Sequence, residues 1–78
     1  MDLEGELNAL RVADAHIRRG LSLIEGQQAT VREVERKGGD MGPAMSLLRG
    51  MRASLEVMVD HRALIEQAIT MIRVGRGR

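Results

Sequence analysis

The chain contains no Phe, Tyr or Trp, no Cys and a single Pro among its 78 residues. Without aromatic rings there is no platform on which bases could stack, which removes the usual modes of single-strand nucleic-acid binding. Without cysteine, disulfides and thiolate metal sites are excluded. A chain this short forms one small domain whose core is marginal unless something supports it, and with disulfides gone the remaining supports are a metal or association. No apolar run approaches the roughly 18 residues of a membrane span, and no charged-then-apolar start suggests export, so a cytoplasmic protein with no membrane partner is expected. A net charge of +1 argues against an electrostatic nucleic-acid footprint spread over the whole chain.

What is present is aliphatic: Leu, Ile, Val, Ala and six Met, the vocabulary of helix–helix packing. These residues recur in alternating steps of four and three, the heptad pattern. In the first half, Leu3, Leu10, Ile17, Ile24 and Val31 take position d, and Leu7, Asp14, Leu21, Gln28 and Glu35 take position a. In the second half, position a holds Met41, Leu48, Leu55, Arg62 and Ile69, and position d holds Ala44, Met51, Met58, Ile65 and Ile72. The segment between them, Lys37-Gly38-Gly39-Asp40-Met41-Gly42-Pro43, carries helix-stop and helix-start chemistry. A glycine supplies the left-handed closing residue, Arg36 and Lys37 suit a helix C-terminus, Asp40 suits an N-cap, and Pro43 is tolerated in a first turn.

The expected fold is all-α: a single domain over 1–78, with helix 1 over about 3–37, a turn at 38–40, helix 2 over about 41–74 and a frayed basic tail at 75–78. So short a turn makes the helices antiparallel neighbours. Folding about Gly39 and Asp40 sets Leu7 by Ile72, Leu10 by Ile69, Leu21 by Met58, Ile24 by Leu55 and Val31 by Leu48. The e positions then match in charge, with Glu4 near Arg73, Arg11 near Glu66 and Glu25 near Arg52. Asp14 and Arg62, in adjacent layers of the seam, are expected to form a polar pair that fixes register. Gln28 reads as a similar device.

The other flank differs. Its g and c positions are mostly small or apolar: Ala9, Ala13, Gly20, Leu23 and Val34 with His16 and Thr30 on helix 1, and Leu47, Gly50, Val57, Leu64, Ala68 and Met71 with Ser54 and His61 on helix 2. A lone hairpin leaves this stripe in water, and docking two copies through it gives a four-helix bundle. The expected interface is therefore Ala13, His16, Gly20, Leu23, Leu47, Gly50, Val57, His61, Leu64, Ala68 and Met71, with Gly20 and Gly50 permitting close helix approach. A different protein docking on the same flank stays open.

His16 and His61 share that flank. They read first as interface-edge hydrogen bonders, with a pH-sensitive contact or a metal site as alternatives. The Glu-x-x-His signature of bundle metal sites is missing, so no metal or cofactor is assigned. Met41, Met51 and Met58 at seam positions read as core filler rather than as an adaptable surface. The tail Arg73-Val74-Gly75-Arg76-Gly77-Arg78 offers an alternative reading as a nucleic-acid-associated or antitoxin-like regulator, although nucleic acid is not the favoured partner. No nucleophile–base arrangement or phosphate loop is visible, so no catalytic residue is assigned and a non-enzyme is expected.

The run Ala13-Asp14-Ala15-His16-Ile17 with Gly20, Ile24, Gln28 and Glu35, followed by Gly38-Gly39-Asp40, Leu47-Leu48, Leu55, His61-Arg62 and Ile65, resembles a group of very small, rhizobial-type alphaproteobacterial helical-hairpin proteins. The likeness covers about residues 13–69. It implies a bacterial origin and the hairpin, and it implies no activity, substrate or site. Helix 2 here is richer in Met and Val than that group's pattern.

Overall fold

In a computed structural model, which describes residues 2–76, the chain is two helices, α1 (Leu3–Arg36) and α2 (Gly42–Arg76), packed side by side as an all-α hairpin of 63 × 15 × 14 Å. Asp2 begins α1 from an extended conformation, its carboxylate accepting from the Gly5 N–H. Glu4 and Glu6 then place negative charge in the first turn, where the helix dipole favours it. The far end closes as a Schellman motif. Gly38, at φ +70°, donates its N–H to the Glu35 carbonyl, and Gly39 donates to Val34, both at 3.0 Å. Only glycine takes that left-handed conformation without strain.

α2 starts slightly later than its N-cap residue suggests. The Asp40 carboxylate accepts from the Gly42 N–H at 2.9 Å, two residues on, while the Met41 carbonyl receives the first helical bond from Met45. Pro43 follows where a missing N–H costs nothing. At its other end α2 continues through Gly75 to Arg76, two residues beyond the expected stop, so only the end of the expected basic tail, Gly77 and Arg78, lies outside the described residues.

The helices meet along two apolar clusters. Near the open end, Ala13, Ile65 and Ile69 are buried, with Leu3, Leu7, Ala9 and Leu10 packed against them. Near the turn, Ile24, Val31 and Leu48 are buried under Met41, Ala44, Met45, Met51 and Leu55. The buried residues come from the seam rows expected from the heptad pattern, but the cross-helix contacts fall nearer the turn on α2 than folding about Gly39 and Asp40 suggests. Asp14 meets Arg62, Gly20 faces Leu55 and Met58 and Gln27 reaches Ala44, while Leu21, a seam position by heptad count, is 52% exposed. Ala13, Gly20 and Gln27 are all g residues, so the contact line of α1 runs on the d and g side of the heptad stripe rather than midway between a and d.

Candidate protein-interaction surface

Asp14 and Arg62 come together across the seam, the Arg62 Nε donating to the Asp14 carboxylate. The same guanidinium donates to Glu66 one turn further along α2. The hydrogen bond to Asp14 raises the Arg62 pKa; desolvation opposes it, and the charges of Asp14 and Glu66 add smaller upward contributions. Arg62 therefore stays cationic at every accessible pH. With side chains about one-third exposed, the pair bridges the hairpin at its surface and orients one helix on the other. A second bridge is made by Gln27, whose Nε2 donates to the Ala44 carbonyl at 2.9 Å. Gln28 had been the expected device; Gln27, one place earlier in the g row, makes the bond instead, and both side chains are half-buried.

The two flanks of the hairpin are chemically opposite. On the e flank, Glu4, Arg11, Arg18, Glu25, Arg32, Arg52, Glu66 and Arg73 carry charge, and only Met45 and Val59 do not. Among the described residues, the ion pairs expected from Glu4 to Arg73, Arg11 to Glu66 and Glu25 to Arg52 do not form. Glu66 binds Arg62 within its own helix, and Arg11 reaches Asn8 at 3.5 Å. A partner one helical turn away requires less ordering of a long side chain than one across the groove.

On the other flank, the g and c rows carry no Asp, Glu, Lys or Arg from Ala9 to Val34 on α1 or from Leu47 to Gly75 on α2. Val57, Leu64 and Met71 are 68%, 63% and 74% exposed, with Leu23 and Leu47 half in water beside them. His16, Gly50 and His61 are exposed, and Ala68 is half-buried. Ala13 and Gly20 contribute differently from expectation. Ala13 belongs to the intramolecular core, and a Cβ on Gly20 would stand 3.4 Å from Leu55 and 3.6 Å from Met58. The close approach at Gly20 is thus made to the chain's own α2, whereas Gly50 has open space around it.

The missing side chain at Gly20 leaves a shallow hollow of about 210 Å³ in the middle of this flank, lined by Gly20, Leu23, Met51, Ser54, Leu55 and Met58. Two of the flank's polar groups are already satisfied inside the chain. Gln27 is bonded to Ala44, and the Thr30 hydroxyl donates to the Gly26 carbonyl at 3.2 Å. Covering the flank therefore strands neither donor, which keeps the desolvation cost low. Among the described residues, no three His, Asp or Glu side chains gather in a way that could hold a metal, and no helix is long and apolar enough to cross a membrane. Compared with known protein families, curated proteins and solved structures, the chain finds no match.

Proposed function

We propose that the protein is a non-enzymatic interaction module of the bacterial cytoplasm, in which two hairpins pack through the g and c flank into a homodimeric four-helix bundle. The observation that carries this reading is the charge-free flank with Val57, Leu64 and Met71 standing in water. From Leu47 to Met71 the stripe runs about 36 Å along α2, and the hairpin is 15 Å wide. The plan area is about 540 Å² per copy, below the roughly 800 Å² per partner of a standard-size interface and within the range of weaker ones. It sits at the upper end of the apolar patches that monomers expose. Each copy also buries only a thin core: Leu48, its best-covered side chain, is still 4% exposed. Pairing two hairpins gives each seam a second layer, which is how a chain without cysteine gains support.

The test is solution mass by light scattering over a range of concentrations, detected by refractive index because the chain has no aromatic chromophore. A stable mass of two 8.6 kDa chains is the expected result. A folded monomer at every concentration overturns the homodimer and leaves the flank to a different protein.

A further inference from the structure

Two hairpins can meet through this flank in two symmetric ways. With the twofold axis along the bundle, both turns lie at the same end and α2 of each copy covers α1 of the other. With the axis across the bundle, the turns lie at opposite ends and each helix covers its own counterpart. Resting on the homodimer proposed above, we infer that the two copies pack with their turns at the same end, α2 against the α1 of the partner subunit.

The first argument is size. The outer row of α2 is large, with Val57, Leu64 and Met71 all strongly exposed. The flank of α1 at the same levels is smaller: Ala9 is half-buried, Ala13 is buried in the seam, Gly20 has no side chain, and His16 is the one larger exposed side chain among them. Interaxial distance follows the side chains at the contact, about 8–10 Å. Large on small gives one spacing at both contacts of the bundle. Like on like demands a wide α2–α2 contact beside a narrow α1–α1 contact. In the same-end arrangement Val57 of the partner subunit also comes to the level of the hollow beside Gly20, Leu23 and Leu55, which receives it.

The second argument is charge and is independent of size. Arg19 and Asp60 are exposed on the outward edges of α1 and α2. In the register that sets Gly20 against Leu55 and Met58 and Asp14 against Arg62, Arg19 stands within about one helical turn of the level of Asp60. That level is the middle of the charge-free stripe. The same-end arrangement brings Arg19 onto the edge that carries Asp60 of the partner subunit, once on each side of the bundle. An axis across the middle of the stripe would instead bring Arg19 toward Arg19 of the partner subunit and Asp60 toward Asp60 of the partner subunit. Rim charges of this kind select orientation more than they add affinity.

The native chain has no cysteine, so a single spin label on Lys37→Cys, an exposed position beside the turn, reports one distance between copies by pulsed electron resonance. The expected distance is about 20–30 Å, the width of a bundle of helices each about 10 Å across. A distance near 50 Å, the length of α1 at about 1.5 Å per residue, keeps the homodimer and overturns the same-end arrangement. No distance between copies, under conditions where light scattering also reads one chain, overturns the homodimer and the arrangement with it. Charge reversal gives a second reading. Arg19→Asp should weaken dimerisation by up to about fivefold per pair, and adding Asp60→Arg should restore it. A double variant as weak as Arg19→Asp alone removes the charge argument.

Discussion

α2 carries two stripes of the same spacing that differ in what covers them. The inner stripe, from Leu48 through Leu55 and Ile65 to Ile72, lies against α1 and holds the best-buried side chains of the molecule, Leu48 and Ile69. The outer stripe, from Leu47 through Val57 and Leu64 to Met71, is offset by one residue and stands largely in water. Both have the three-and-four spacing that a helix uses to present a continuous face. One partner helix can cover only one of them. The difference teaches that hydrophobic periodicity records every face a helix buries in its working state, whereas a single chain shows only the faces it covers by itself. On the homodimer proposed above, a hairpin with one such face to spare supplies half of a larger core.

The sharpest way to break this comparison is to put charge on the outer stripe. In the bundle, Leu64→Glu takes a carboxylate out of water at a cost of several kcal/mol, and symmetry places two of them in one interface. Light scattering should then read a single chain at every practical concentration. In that single chain the new carboxylate is hydrated, so the substitution itself adds less than about 0.5 kcal/mol of local cost. A dimer that survives Leu64→Glu shows that this stripe is not the contact. The inner stripe should respond in the opposite way. Leu48→Ala removes packing in either assembly state and should lower unfolding free energy by about 2–5 kcal/mol per chain. Thermal melting followed by circular dichroism would check it, and a loss below 1 kcal/mol would mean that the turn-end cluster of Ile24, Val31 and Leu48 does not hold the hairpin together.

Local chemistry was legible in the sequence and fine orientation was not. The turn could be read because a Schellman closure at Gly38 depends on a few neighbouring residues and on one backbone conformation that glycine favours. The seam could be read because its apolar residues recur over many turns, and Asp14 with Arg62 stood out as opposite charges in adjacent layers of it. The roles of Gly20 and Gln27, each one place from the expected Leu21 and Gln28, could not be read from heptad letters. Those letters place the contact line midway between a and d, whereas in α1 it runs on the d and g side. The e-flank ion pairs were misjudged because complementary charge at the right level does not decide between a partner across the groove and one a turn away on the same helix. The use of the outer flank lies beyond all of this, because complementarity has two sides and one chain supplies only one unless the partner is a copy.

Glycine offers a finer comparison of covered and open surface. Gly26 and Gly50 both have open space within the hairpin, and replacing either with Ala should gain about 1 kcal/mol of helix propensity. Gly26 lies on the outward edge of α1, and Gly50 lies on the charge-free flank. If that flank is covered, the methyl group at residue 50 meets the second copy and part of the gain is lost. Melting curves should therefore show Gly26→Ala more stable than Gly50→Ala, with the gap widening as concentration rises. Equal gains at all concentrations would place Gly50 outside any contact.

The smallest effect separates the turn end from the seam by pH. Arg36 donates to both carboxylate oxygens of Glu33, with its shorter contact at 2.6 Å, and Lys37 stands 3.4 Å away. The Arg36 hydrogen bond lowers the Glu33 pKa, desolvation partly opposes it, and Lys37 adds a smaller downward contribution. A carboxyl whose folded-state pKa lies below its unfolded value contributes stability that is present above the ordinary Glu value of about 4.3. That stability is lost as pH falls through the folded-state value, because the unfolded chain binds the proton first. The group is exposed, so the contribution is screened and local. Glu33→Gln should flatten the acid limb of stability below about pH 4 while leaving the neutral-pH mass unchanged. An acid limb identical in the two proteins would show that the Glu33 pairing at the end of α1 is a surface contact without effect on folding.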